Sequence, residues 1–141
     1  MEPHAISQKY ATAVERTLES AMKVPADRRD EPGVCGDWSL KDLMGHLTYW
    51  DSVNRYEMET EQAGGTIISD DRDDDTINAE QAEARKDWSW DQVMAEVIDN
   101  RDARVELHKR PSRYDQSGAG EHWDEHRAQI DAWLAANIEG A

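Results

Sequence analysis

The sequence predicts an all-α protein, specifically a four-helix bundle. Three observations carry that expectation. Apolar residues recur at helical spacing in four separate stretches of the 141-residue chain. Two serines, Ser39 and Ser89, stand where an N-cap is needed, each followed three residues on by a side chain able to complete the cap. No stretch shows the sustained alternation of β-branched residues that marks a strand, and Thr66–Ser69 is too short and isolated to make one. Four helices with one apolar stripe each bury those stripes most simply against one another.

The first helix is expected over about residues 4–24. Ile6, Tyr10, Ala13, Val14, Thr17, Leu18, Ala21 and Met22 form its stripe, and Pro25 falls just beyond its end. Residues 25–37 hold Pro32, Gly33 and Gly36 and read as loop. Ser39, with Asp42, opens a second helix over about 40–61, with Leu43, Leu47 and Trp50 on one face and Gly64 and Gly65 after its end. Residues 78–86 read as a short helix or as the first part of the third. Ser89 and Gln92 form a capping box, and Val93, Val97, Ile98, Arg101 and Val105 carry that helix to about Lys109. Residues 111–118 are loop, and the last helix covers about 119–138. The stretch DWSLKDLMGHL (37–47) echoes DWSWDQVMAEV (87–97), with Glu96 in the place of His46. Shared helix-entry chemistry explains the echo more readily than a true repeat, because eleven residues are few.

Composition narrows the function classes. Acidic residues outnumber basic ones 31 to 16, a formal net charge of −15. Binding to phosphate backbones is therefore disfavoured, and no basic cluster offsets it. No apolar run approaches the roughly 20 residues of a membrane span. The N-terminus lacks the basic and apolar pattern of a signal peptide, and the single cysteine, Cys35, permits no internal disulfide. The chain is expected to be one domain over residues 1–141, cytoplasmic, with no nucleic-acid or membrane partner. Asp71, Asp73 and Asp75 have the first spacings of a calcium loop. Thr76 stands where glycine is required and Ala82 where the bidentate glutamate is required, so that reading fails and a solvated acidic loop is expected.

The segment EHWDEHRAQIDAWL (121–134) places His122 and His126 four apart. On a helix, His126 lies about 40° round from His122, Trp133 about 20° and Ile130 about 80°. Both histidines are thus expected on the core-facing stripe, pointing the same way and able to share one metal ion. His46 follows Leu43 by three and precedes Trp50 by four, so it also faces inward and is the candidate third ligand. Three histidines on two facing helices would leave coordination positions open, as catalytic sites do. Imidazole does not choose sharply among divalent metals. The alternative is that each histidine is a hydrogen-bonded core residue. His4 and His108 show no such relation and are expected at the chain end and the surface.

The segments WSLKDLMGHLTYWD (38–51) and EHWDEHRAQIDAWL, with INAEQ (77–81) between them, resemble the DinB-like superfamily. The resemblance implies a down-up-up-down bundle with a long crossover between the second and third helices, here the acidic segment 61–75. It implies a divalent metal, zinc or nickel first and iron, cobalt or manganese as alternatives, held by His46, His122 and His126. It also implies a small-molecule substrate and a low-molecular-weight thiol as a possible co-substrate, since relatives include thiol-dependent isomerases and transferases as well as hydrolases. A homodimer is expected.

The function expected is that of a metal-dependent enzyme acting on a small electrophile, by hydrolysis or thiol transfer. The alternative is a non-catalytic metal-binding or stress-response protein, whose shell Glu96 or Glu57 would close. Glu125 lies at the edge of the histidine stripe and is the candidate general base, against the plainer reading of a solvated surface acid. Asp124 is expected in solvent. Tyr49, Trp50 and Asn54 are candidates for the substrate pocket above His46, with Trp50, Trp123 and Trp133 also serving as packing. Cys35 is expected to be an inert loop thiol.

Overall fold

The computed structural model describes residues 2–114 and 118–139. Among these the chain is all-helical, with five α-helices and no strand: α1 (Pro3–Met22), α2 (Leu40–Gln62), α3 (Asp74–Arg85), α4 (Trp90–Leu107) and α5 (Glu121–Leu134). A single turn of 3₁₀ helix, Ala26–Arg28, follows α1, and a π-type turn, Ala135–Glu139, extends α5. The loop expected over 111–118 is described at its two ends, and residues 115–117 lie outside the described set.

Helix starts follow local chemistry. Pro3 opens α1 at a position where its missing N–H costs nothing. Ser39 and Ser89 each form a reciprocal capping box, with Asp42 and Gln92. The two echoed segments thus share their entry chemistry, and Glu96, the counterpart of His46, pairs with Arg85 at 2.7 Å instead of joining the histidines. The third element begins four residues before the expected Asn78. Asp73 is the reason: its carboxylate accepts the Thr76 amide at 2.8 Å, and Asp74 and Asp75 fill a first turn where negative charge is favoured. Part of the acidic run is therefore a helix start, and α3 is a helix separate from α4.

The helices pack as α2 on α4 and α1 on α5, with α1 also touching α4 and α2 touching α3 and α5. The buried centre includes Tyr10, Leu43, Leu47, Val97, Trp123 and Ile130. On α4 the buried face runs through Val93, Val97, Asn100 and Arg104, and on to His108; the expected Val105 is half-buried against the core, and Ile98 and Arg101 lie half-buried beside that face. His108 is thus buried and not at the surface. The correction has a physical cause: this face carries polar groups that find partners inside, so an apolar pattern does not reveal it.

Those polar groups form one network around Asp51, which is 2% exposed. Arg104 donates to its Oδ1 at 2.6 Å, the Tyr10 hydroxyl to its Oδ2 at 2.6 Å, and the Trp123 indole N–H to both oxygens at 3.1 Å. Arg104 also lies within 2.9 Å of His108 Nε2. Burial pushes the Asp51 carboxyl above its ordinary range, against the pull of Arg104 and the other donors. One carboxylate thereby ties α1, α2, α4 and α5 together.

Candidate metal centre

His46 sits in the second turn of α2, and His122 and His126 lie one turn apart at the start of α5. The start of α5 is set by Gly120, whose φ of +86° turns the chain into the helix. A side chain there would also collide with α1, since a Cβ on Gly120 would stand 2.7 Å from the Ala13 Cβ. The contact of α2 with α5 then brings His46 over the other pair.

The three imidazoles face one another. Ring centroids lie 4.8 Å apart for His46 and His122, 5.1 Å for His46 and His126, and 4.8 Å for His122 and His126. One nitrogen from each lies within 4.8 Å of the other two. His46 Nε2 and His122 Nε2 are 3.0 Å apart. Nitrogens bound to one metal at about 2.1 Å are separated by roughly 3–3.4 Å, so this pair is already at the required spacing. His126 Nδ1 lies 2.6 Å from the Gln129 amide oxygen, which can only accept, so the proton sits on Nδ1 and the Nε2 lone pair is free. His46 Nδ1 is buried without a hydrogen-bond partner.

Electrostatics act in the same direction. The His46 imidazole is depressed to about 3, by burial first and then by the neighbouring His122 and His126, with Asn78 offsetting part of this. It is therefore neutral at neutral pH, the form that binds metal. A cluster of three histidines that could hold a metal ion is what the described residues present, and no carboxylate among them joins it.

The expectation that both α5 histidines lie on the core-facing stripe needs correction. The buried face of α5 is Trp123, Ile130, Trp133 and Leu134, and the histidines lie half-buried on its shoulder. The hydrogen bond from Trp123 to Asp51 explains the rotation, because it turns the indole inward and leaves the histidines on the wall of an open cavity. That cavity measures about 580 Å³ and is lined by the three histidines together with Trp38, Trp50, Asn54, Asn78 and Glu125, and by Asp74 and Asp75.

Of the expected pocket residues, Trp50 and Asn54 line the cavity, four and eight residues beyond His46 on the same face of α2. Trp50 donates its indole N–H to Asn78 at 2.7 Å. Tyr49 lies outside this cavity but lines an adjoining pocket with His46, Trp38 and Asn78, where its ring lies 5.6 Å from the Arg85 guanidinium. Glu125 is exposed at the cavity wall. Asp124 is half-buried rather than fully solvated and pairs with Arg127 at 3.0 Å. Glu57 borders a separate cavity beneath residues 67–70. Cys35 is half-buried and packs against the core.

Sequence reasoning missed Trp38, Asn78, Asp74, Asp75 and Gln129 as neighbours of the histidines. Gln129 had a legible signal, three residues beyond His126 on one helix. The others come from α3 and from the entry to α2, and no local pattern places them. No family model, no curated protein and no solved structure matches the chain.

Proposed function

We propose that this chain is a DinB-like protein and a divalent-metal-dependent enzyme acting on a small electrophilic molecule, by hydrolysis or thiol transfer. The observation that carries the reading is the placing of three convergent imidazoles on the wall of an open cavity of about 580 Å³. A structural zinc site is closed by a fourth protein ligand, whereas a catalytic one faces a space where a reactant can sit. The pairing of α1 with α5 and α2 with α4, with α3 touching α2, supports a bundle of the four longer helices. In that bundle residues 63–73 and α3 form the crossover of a down-up-up-down path.

His46, His122 and His126 would hold the ion, zinc or nickel in the first instance. When bound, such an ion lowers the pKa of a coordinated water or thiol and so supplies a nucleophile near neutral pH. Gln129 holds the His126 ring in one tautomer. Glu125, exposed at the wall of the same cavity, would be the general base available to a reactant bound there. Trp50 and Asn78, joined by their hydrogen bond, form a fixed polar and aromatic wall against which a substrate is oriented.

Elemental mass spectrometry on untagged protein tests this directly. About one equivalent of divalent metal in the wild type, lost in His122→Ala, is expected. An empty wild type, even after incubation with zinc, nickel and manganese, would sink the reading.

A further inference from the structure

The cavity over the histidines carries fixed charge of one sign. Apart from the histidines, its charged lining consists of Asp74, Asp75 and Glu125. All three are exposed, and among the described residues none is in an ion pair. The cations nearest in sequence are engaged elsewhere: Arg72 with Asp70 and Glu80, Arg85 with Glu96, and Arg127 with Asp124. Asp74 and Asp75 also favour the start of α3, which explains acids at those positions but not a cavity without a counter-cation. Two indoles, Trp38 and Trp50, complete the wall. Carboxylates and aromatic faces both attract an ammonium group, and carboxylates repel an anion.

We infer that the substrate carries a positive charge, as an amine, guanidine or quaternary ammonium, on the part held away from the histidines. Anionic co-substrates, including thiols bearing free carboxylates, are disfavoured at the same place. This inference rests on the metal-site reading and specifies its substrate class. A bound divalent ion attracts anions at its own open position. Asp74 and Asp75 stand on α3, a different helix from those that carry the histidines, so they act on the remainder of the ligand.

The test uses the full chain loaded with cobalt(II), whose visible absorption reports ligand exchange at the metal. Three hydroxamates of matched size serve as probes, ending in trimethylammonium, tert-butyl or carboxylate. All three present the same group to the metal, so affinity ratios read the distal charge alone. The ammonium probe is expected to bind about tenfold more tightly than the carboxylate probe, with tert-butyl between them. In Asp74→Asn/Asp75→Asn that ratio is expected to shrink severalfold, and Glu125→Gln repeats the test from the other wall. Glu15→Gln/Glu19→Gln makes the same change in net charge on α1, outside the cavity lining, and is expected to preserve the ratio. Equal affinities, or a preference for the carboxylate probe, overturn the inference while leaving the metal centre standing. A ratio reduced equally by both double variants assigns the selectivity to the whole molecule's charge and overturns it as a property of the site. Failure of the wild type to develop a cobalt band overturns the metal-site reading itself, and this inference with it.

Discussion

A buried ion pair and a half-buried histidine govern the behaviour of single residues here. Asp51 and Arg104 form an ion pair at 2.6 Å with side chains 3% and 1% exposed. Removing one charge leaves the other buried without compensation, which costs about 3–5 kcal/mol. Asp51→Asn is therefore expected to lower stability by that amount in urea unfolding, and Asp51→Asn/Arg104→Met to recover part of it. A loss below about 1 kcal/mol in the single variant would mean that the network is hydrated and not load-sharing. His46 gives the metal-free fold a pH dependence. Its folded value of about 3 lies below the ordinary histidine value. Between that value and about 6.5 the unfolded chain binds the extra proton, so stability is full above this window and falls as pH drops through it. Urea midpoints of the metal-free protein at about pH 7.5 and about pH 5 are expected to differ more in the wild type than in His46→Gln. Equal differences would show that His46 is not the group responsible.

Among the elements, α5 has the most demanding start. Gly120 is in the left-handed region and lies against Ala13, whereas Gly64 is left-handed with open space around it. Gly120→Ala combines backbone strain with a steric clash and is expected to cost about 2–4 kcal/mol. Gly64→Ala carries the strain alone, at about 1–2 kcal/mol. Comparing the two by thermal unfolding separates the terms, and equal losses would show that α1 yields at no cost. Because Gly120 sets the entry to α5, Gly120→Ala is also expected to weaken metal binding at His122 and His126, read in the metal-content assay. At the start of α4, Ser89→Ala removes a two-way cap and is expected to cost about 1 kcal/mol. No measurable change there would indicate that packing alone holds that end.

For the whole molecule, the net charge of −15 sets the response to salt. Raising NaCl from about 0.01 M to about 1 M shortens the screening length from roughly 30 Å to roughly 3 Å. Self-repulsion of the compact state then weakens. Most of the ion pairs are partly or largely exposed, such as those of Arg72 and Lys86, so little stability is lost by screening them. The melting temperature is therefore expected to rise by several degrees between about 0.01 M and about 1 M NaCl. A fall would mean that the ion pairs outweigh the repulsion.

Residue spacing and capping chemistry make the helical class, both capping boxes, the boundaries of α1 and α2 to within two residues, and the three histidines legible in the chain. These are local matters: spacing along a helix and the reach of a side chain to a nearby backbone N–H decide them. Spacing also indicates Trp50 and Asn54 beside His46, because i, i+4 and i+8 share a face on any helix. Which shoulder of α5 faces inward is set by packing between distant segments. That outcome depends on Trp123 reaching Asp51, 72 residues away in the chain. For the same reason His108 reads as a surface residue until Arg104 and Tyr10 are seen around it. The acidic run at 70–75 reads as plain loop until α3 is placed over α2, and then two of its carboxylates line the cavity. A polar residue signals burial only through its partner, and here the partners come from distant segments of the chain.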